Sequence, residues 1–433
     1  MKISISNKEF YRKHNKELEK YLISTNSLHI INEKSKYKIS EELSEKVFVN
    51  FSNDYLSQLS KKSEKFDVVI LTDIVEVTKD LYNLFKVVES ILKPNGKLII
   101  TSINSKWNLV VKIFEYFKLK DVNRNYSYIH PKKIENIVCG SNFEKVKSDS
   151  RQIYPFKNFG LGSLINKLLE SSLYFLNLGI KTYIVFRKKS VEPYLFSRSI
   201  IIPAKNEEGN LEELFERIPN KDISQIIFTV GKSEDNTLNI VNKIKNENFN
   251  LNIEVIKQKS TGKANAVWES LKYVTSDMIA ILDADISVDP ETLDDFFEII
   301  KKNNADFVNG TRLIYEMEEF AMRYLNKKGN IFFQFIVSIV IGKKLTDSLC
   351  GTKVFKKEFI NKITWWQNTF QLEDPFGDFD LIFTAALTGE KIIEYPVHYR
   401  SRKYGKTQIS RFRDGFKLIK YITKSFFVFN TSR

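Results

Sequence analysis

Apolar residues in this chain fall into short runs that stop at polar turns, the pattern of strands buried in a sheet. Phe66-Asp-Val-Val-Ile-Leu-Thr-Asp73 is one such run. Apolar positions at helical spacing follow it (Leu81, Leu84, Phe85, Val88, Leu92), then a Lys93-Pro-Asn-Gly96 turn and a second run, Lys97-Leu-Ile-Ile-Thr101. Strand, helix and strand in that order predict a parallel, doubly wound sheet. The pattern restarts at Ser199-Ile-Ile-Ile-Pro203, whose polar turn leads into Leu211, Leu214 and Phe215. Met278-Ile-Ala-Ile-Leu282 reads as another buried strand, ended by Asp283 and Asp285. Alternation at a strand end points these two carboxylates the same way, out of the sheet's carboxyl edge. Two hard oxygen ligands there suit Mg²⁺ or Mn²⁺, which in turn grips a diphosphate. Alone, such a pair is better read as a polar loop after a core strand, so its company matters.

At 433 residues the chain exceeds one ordinary core. We expect two domains, 1–190 and 197–433, with Arg187 to Arg198, which contains Pro193, as the linker. Hydrophobic residues make up 42% and charged residues 28%, as in soluble globular proteins. The formal net charge of +14 suits acidic substrates or an anionic membrane surface. Nucleic acid is the other partner that a basic chain brings to mind, and none is expected here. Cys139 and Cys350 form no disulfide framework, and His14, His29, His130 and His398 are too scattered for a histidine metal site or triad. The amino terminus lacks the apolar core of a signal peptide, and the run from Ile331 to Ile341 is too short to span a bilayer. A reducing, cytoplasmic setting follows as an expectation. Leu161 to Val185, rich in Leu, Ile, Tyr and Phe, suits packing between domains or contact with a membrane surface.

The segment "FDVVILTDIVEVTKDL" followed by "LKPNGKLIITSIN" resembles the later half of a class I S-adenosylmethionine-dependent methyltransferase. The earlier half departs from that family. Its first strand should run into a glycine-rich turn, since only bare backbone approaches the cofactor closely. "SLHIINEKSKYKISEEL" contains no glycine, and none occurs from Met1 to Asn95. The first domain therefore reads as a degenerate methyltransferase fold, with no S-adenosylmethionine expected.

The second domain resembles glycosyltransferase family 2, whose fold is GT-A, in a bacterial branch related to dolichyl-phosphate mannose synthases. "IIIPAKNEEGNL" looks like that family's opening strand and turn, which lie against the nucleotide; the resemblance implies donor contacts from Pro203, Ala204, Asn206 and Glu207. Gln225 to Thr237 is similar to the second strand and turn, implying Ser233 and Asp235, although Val230 stands where an acid is expected. Asp235 serves equally well as a cap for the next helix. Thr261-Gly-Lys-Ala-Asn-Ala266 resembles the turn that supplies Lys263 and Asn265 to the donor. Asp283 and Asp285 then occupy the metal-binding D-x-D position, with Asp283 also near the ribose. Asp347-Ser-Leu-Cys-Gly-Thr-Lys353 would line the acceptor side. One carboxylate of Gly377-Asp-Phe-Asp380, Asp378 or Asp380, would be the general base. The basic tail would close over the diphosphate with Arg400, Arg402, Lys406, Thr407 and Arg411, and the helix after it is amphipathic enough to touch anionic lipid.

The whole implies an α/β chain of two Rossmann-like domains, a methyltransferase-like sheet followed by a GT-A domain. The activity implied is inverting, metal-dependent transfer of a sugar from a nucleotide-diphosphate donor to a hydroxyl of a glycan or lipid-linked acceptor in cell-surface synthesis. Transfer to a polyprenyl phosphate is the alternative, and an ionised phosphate needs no base. A non-catalytic binding protein on two degenerate enzyme folds, or a working methyltransferase fused to the transferase, are the further rivals. The expected location is cytoplasmic, peripheral on the inner face of the membrane.

Overall fold

The structure, a computed structural model, describes residues 7–23, 26–32, 45–49, 56, 59, 64–78, 80–108, 131–154, 161–173, 177–189, 196–219, 222–302, 305–315, 322, 324–405 and 411–430. Two compact units divide the chain: residues 1–192 with 426–433, and residues 193–425.

The first unit holds α1 (Asn7–Glu19), β1 (Ser27–Asn32), β2 (Glu45–Val49), β3 (Phe66–Thr72), α2 (Leu81–Ile91), β4 (Leu92–Ile103), α3 (Pro131–Cys139), β5 (Phe143–Arg151), α4 (Leu161–Leu173) and β6 (Lys181–Lys188). Its sheet runs β2-β1-β3-β4-β6-β5, parallel through β4 and antiparallel where β6 meets β4 and β5. Strand alternation gives the sheet two apolar faces. Leu28, Ile30, Val69, Leu71, Leu98 and Ile100 pack with Leu84, Phe85 and Val88 of α2 and Ile134 of α3. Val68, Ile70, Ile99, Tyr183 and Val185 pack with Leu18 of α1.

Three expectations change here. Lys93 to Gly96 is a bulge within the continuous strand β4, since the register jumps from Phe66↔Leu92 to Val68↔Lys97 and Asn95 takes a φ of 64°. Leu161 to Val185 is not one apolar piece: Leu161, Leu164 and Leu168 on α4 are exposed, whereas Tyr183 and Val185 are core strand. Arg187 and Arg198 are not linker. Each is buried within a strand, Arg187 donating to Glu144 (Nε to Oε1, 2.9 Å) and Arg198 to Asp294 (2.8 Å). Pro193, His130 and residues 33–44, where the glycine-rich turn was sought, lie outside the described residues.

The second unit holds β7 (Arg198–Ala204), α5 (Leu211–Arg217), β8 (Ile223–Val230), α6 (Thr237–Glu247), β9 (Ile253–Lys257), α7 (Lys263–Leu271), β10 (Met278–Ile281), α8 (Leu293–Lys301), β11 (Phe307–Thr311), α9 (Tyr324–Ile341), β12 (Lys353–Lys356), α10 (Phe359–Phe370), α11 (Asp378–Leu387), β13 (Ile392–Pro396) and α12 (Arg411–Asn430). The strand order is β13-β11-β12-β10-β7-β8-β9. Neighbours β10, β7, β8 and β9 are parallel, and β12 runs against both β10 and β11. Ile200, Ile202, Phe228, Met278 and Ala280 pack with Leu211, Val241, Phe296 and Phe297 on one face. Ala204 pairs with Val230 and Ile201 with Ile281, so the turns after β7, β8 and β10 gather at one carboxyl edge. In such sheets that edge is where ligands bind. The last residues of α12, expected in the second domain, group instead with the first unit: Phe429 is buried and its carbonyl accepts from the Arg151 guanidinium.

Candidate functional site

A cavity of 1420 Å³ opens at this carboxyl edge, and the described residues that wall it all belong to the second unit. The D-x-D acids stand on its wall. Regular pairing of β10 stops at Ile281, with one further bond from Leu282 N–H to the Ile201 carbonyl (3.0 Å). A turn, with Ile286 at φ 53°, therefore positions the two carboxylates in place of strict strand alternation. Asp283 meets the Lys263 ammonium at 2.5 Å, and Asp285 meets the Arg402 guanidinium at 2.6 Å. Asp285 also accepts from the Ser287 backbone N–H (3.0 Å), which fixes its rotamer. Burial pushes the Asp283 pKa up, but Lys263, Lys353 and Arg402 outweigh it and hold the carboxyl below its usual value. The same acids hold Lys263 protonated against burial.

Two glycines make this approach possible. Gly262 caps α7 at a φ of 93°, left-handed backbone that glycine alone adopts freely, and so sets Lys263 at the head of the helix. At Gly351 a Cβ would lie 2.2 Å from Asp283 Oδ2 and 2.5 Å from Lys263 Nζ. Only a residue without one lets that backbone pass the pair.

Of the other expected donor residues, Pro203, Ala204, Glu207 and Asn265 line the cavity. Glu207 is raised to about 7 by burial, with Asp285 and Asp283 adding to it. Asn206, Ser233 and Asp235 do not face the cavity; they tie two turns together. Asn206 N–H donates to Ser233 Oγ (3.1 Å), its side-chain oxygen accepts from Glu234 N–H (2.8 Å), and Asp235 accepts from Glu208 and Thr237 N–H (3.2 and 3.0 Å). Thr229, rather than Val230, reaches the wall, because Val230 points into the core. Arg400 is also turned away, its guanidinium forked onto Asp289 (2.6 and 2.9 Å). Lys406 and Thr407 lie outside the described residues; Arg411 heads α12 and its side chain is not among those described.

Asp378 and Asp380 open α11 after Gly377, which sits at a φ of 82°. Both line the cavity and both are buried. Neither is a bare carboxylate. Asp378 is paired at 2.6 Å with Lys353, whose side chain is fully buried and also donates to the Cys350 carbonyl. Asp380 accepts from Trp366 Nε1 (2.9 Å), from the Tyr421 hydroxyl and from Gln367 Nε2 (3.4 Å). Burial raises its pKa against those donors.

The structure adds residues that the sequence reading passed over. Asp374 accepts from Phe379 and Asp380 N–H (2.7 and 2.9 Å), capping α11, and burial with Asp380 and Asp378 nearby pushes it up to about 7. Its acid-before-helix position was a readable capping signal. Arg312, on the wall, is forked onto fully buried Asp347 (2.7 and 3.0 Å), a pair 35 residues apart with no sequence signature. In the expected acceptor run, Leu349, Cys350 and Gly351 face the cavity and Asp347 does not.

Among the described residues no three His, Cys, Asp or Glu side chains gather as a metal cage. Mg²⁺ characteristically takes one or two protein carboxylates and completes its shell with substrate phosphates. Asp283 and Asp285 fit that kind of site.

Residues 199–364 match the model of glycosyl transferase family 2, and residues 12–148 match a methyltransferase domain. A dolichyl-phosphate hexose transferase of Haloferax volcanii is 28% identical over 46% of this chain and 79% of its own length. A dolichol-phosphate mannosyltransferase of Pyrococcus furiosus is 27% identical over 52% of this chain and 64% of its own. An undecaprenyl-phosphate 4-deoxy-4-formamido-L-arabinose transferase of an Enterobacter species is 23% identical over 50% and 63%. The chain thus spans less than two thirds of the latter two relatives. The structure of glucosyl-3-phosphoglycerate synthase of Mycobacterium tuberculosis, solved with Mn²⁺, UDP and phosphoglyceric acid, is similar over 54% of this chain and 79% of its own at 14% identity, with a TM-score of 0.40. The chain joins a methyltransferase-like domain to a glycosyltransferase domain of family 2.

Proposed function

We propose that the second unit transfers a hexose from a nucleotide-diphosphate sugar to the phosphate of a polyprenyl lipid. The observation that carries the donor half is the cavity wall at the carboxyl edge, where two acids, Asp283 and Asp285, stand with two cations, Lys263 and Arg402. Asp283 and Asp285 would hold Mg²⁺ or Mn²⁺, which supplies charge neutralisation for the departing nucleotide diphosphate. Lys263 and Arg402 add positive charge on the same wall, and Pro203, Ala204 and Glu207 bound the end where the nucleotide is expected. Attack from the face opposite the leaving diphosphate inverts the anomeric carbon.

The neighbouring acids support a phosphate acceptor. A hydroxyl nucleophile needs a base to take its proton. Asp378 is neutralised by buried Lys353, and Asp380 already accepts from Trp366, Tyr421 and Gln367. A phosphate monoester, with a second pKa near about 6, arrives ionised and needs neither. The relatives named for polyprenyl-phosphate transfer favour the same choice. The hydroxyl-acceptor reading therefore yields first place to its alternative.

The test is transfer of radiolabelled sugar from a panel of nucleotide sugars to a prenyl phosphate, with and without Mn²⁺. Product in the organic phase that depends on the metal and disappears in Asp285→Ala supports the reading. No labelled lipid with any donor overturns it. No helix among the described residues is long and apolar enough to cross a membrane.

A further inference from the structure

Among the described residues six cations line the cavity: Lys205, Lys263, Arg312, Arg402, Arg413 and Lys417. Carboxylates hold three of them, Asp283 on Lys263, Asp347 on Arg312 and Asp285 on Arg402. Arg413 and Lys417 differ. They stand one helical turn apart on α12, both on the wall, and neither forms an ion pair with another described residue. Asp414 lies between them and also reaches the wall. Two unneutralised cations on one cavity face are a receiving group for a phosphate.

The chemistry around them is apolar. Leu325 and Phe333 of α9 and Leu418 of α12 line the same cavity. Aromatic contacts join these helices through α11, whose Phe379 ring lies 6.2 Å from Phe333 and 5.8 Å from Tyr421. On its outer side α9 exposes Tyr324, Ile331 and Phe335 along one stripe, flanked by exposed Leu325 and Phe332. Phe335 is 61% exposed, and exposed apolar stripes of this length mark interaction surfaces. α12 continues the theme, with exposed Phe416 and Ile419 among the exposed lysines Lys420 and Lys424. Apolar side chains interleaved with lysines complement an anionic bilayer and oppose a basic partner.

We propose that Arg413 and Lys417 receive the phosphate of the lipid acceptor, while the exposed stripe of α9 seats its hydrocarbon chain at the bilayer surface. This rests on the transfer reading above and adds the residues that choose the acceptor. Lysine and arginine at this spacing hold the ionised phosphate at the cavity wall, and the chain leaves over an apolar helix instead of through water.

The experiment has a kinetic arm and a binding arm, both on the full chain. Arg413→Gln with Lys417→Gln is expected to raise the KM for polyprenyl phosphate about tenfold or more, as for lost charge-assisted hydrogen bonds, with kcat changed far less. The thermal shift given by nucleotide sugar and Mn²⁺ stays that of the wild type. Ile331→Glu with Phe335→Glu, both at exposed positions, raises KM more for a long-chain prenyl phosphate than for a short, water-soluble one. In flotation, the wild type rises with phosphatidylcholine vesicles doped with polyprenyl phosphate, inorganic phosphate competes only at high concentration, and both double variants stay behind. Flotation on phosphatidylglycerol vesicles is expected from the lysines of α12; if Arg413→Gln with Lys417→Gln lowers it as much as flotation on the polyprenyl-phosphate vesicles, the cations belong to general headgroup attraction and the acceptor site is overturned. A dimer in light scattering that Ile331→Glu with Phe335→Glu dissolves gives the stripe to a second copy of the chain and also overturns the proposal. Unchanged KM and flotation in both double variants do the same. Absence of sugar transfer to any prenyl phosphate, with donor hydrolysis intact, overturns the functional reading instead, while flotation still reports on the site.

Discussion

At the end of β3 in the first unit Asp73 is buried against the Lys181 ammonium, whereas at the end of β10 in the second Asp283 meets Lys263 on the wall of a cavity. Both are acids at the carboxyl rim of a parallel strand, and both have a lysine. Their surroundings differ. Asp73 and Lys181 lie among buried polar groups: His29 is 2.7 Å from Thr72 Oγ1, and Glu76, 2% exposed, accepts from Ile103 N–H at 3.0 Å. Burial, with Asp73 nearby, lifts Glu76 to about 8. Asp283 and Lys263 each keep 29% of the side chain exposed. An acid at a sheet edge becomes a binding group only where something else can reach it. In the first unit the lysine completes a closed structural pair; in the second it shares a wall with a further cation and room for a ligand.

The sharpest way to break this comparison is to remove one acid from each rim. Asp285→Ala should lower turnover by about 10²–10³-fold or more, the scale for losing a group that stabilises transition-state charge, as read by product formation at saturating donor. Asp73→Ala should leave donor affinity alone and instead destabilise the first unit by about 3–5 kcal/mol, because Lys181 is left buried and unpaired. Chemical denaturation separates the two outcomes.

Next in size is the buried Lys353–Asp378 pair. Asp378→Asn alone should cost about 3–5 kcal/mol of stability for the same reason, so lost turnover in that variant says nothing about a base. Asp378→Asn with Lys353→Met removes both charges. If that double variant folds and keeps turnover within an order of magnitude, Asp378 is structural; a specific loss of kcat in the folded variant reinstates a base and a hydroxyl acceptor.

Gly351→Ala sharpens the contrast at one atom. Its Cβ falls on the Asp283–Lys263 pair, so the expected penalty is about 1–3 kcal/mol in donor binding, the range for forced overpacking, measured by titration calorimetry with the donor and Mn²⁺.

The smallest effect is the pH dependence of stability. Glu76 and Asp374 are raised in the folded chain, to about 8 and about 7, so the folded state binds protons more tightly than the unfolded one. Their contribution is complete below the unfolded carboxyl range and is lost as pH climbs through the folded values. The melting temperature should therefore fall between about pH 4 and pH 8 by these groups, and Glu76→Gln should flatten the upper part of that fall.

Much of this protein was legible one residue at a time. Continuous apolar runs marked β3, β7, β8 and β10, helical spacing marked α2 and α5, and Gly262 and Gly377 take the left-handed backbone that opens α7 and α11. The order of short motifs also put Asp283, Asp285 and Lys263 in one region, and all three line the cavity wall, because each is tied to a strand end or a helix start by local geometry. Partnership was another matter. That Asp378 belongs to Lys353, Arg400 to Asp289 and Arg312 to Asp347, and that Asn206 N–H meets the Ser233 hydroxyl, depends on which elements pack together. Charged side chains separated by 25 to 111 residues carry no spacing signal, since the fold and not the chain sets their distance. Chain-local backbone preferences thus determined the elements and their turns, and only tertiary packing decided which ionised groups were neutralised and which, like Arg413 and Lys417, were left facing a cavity.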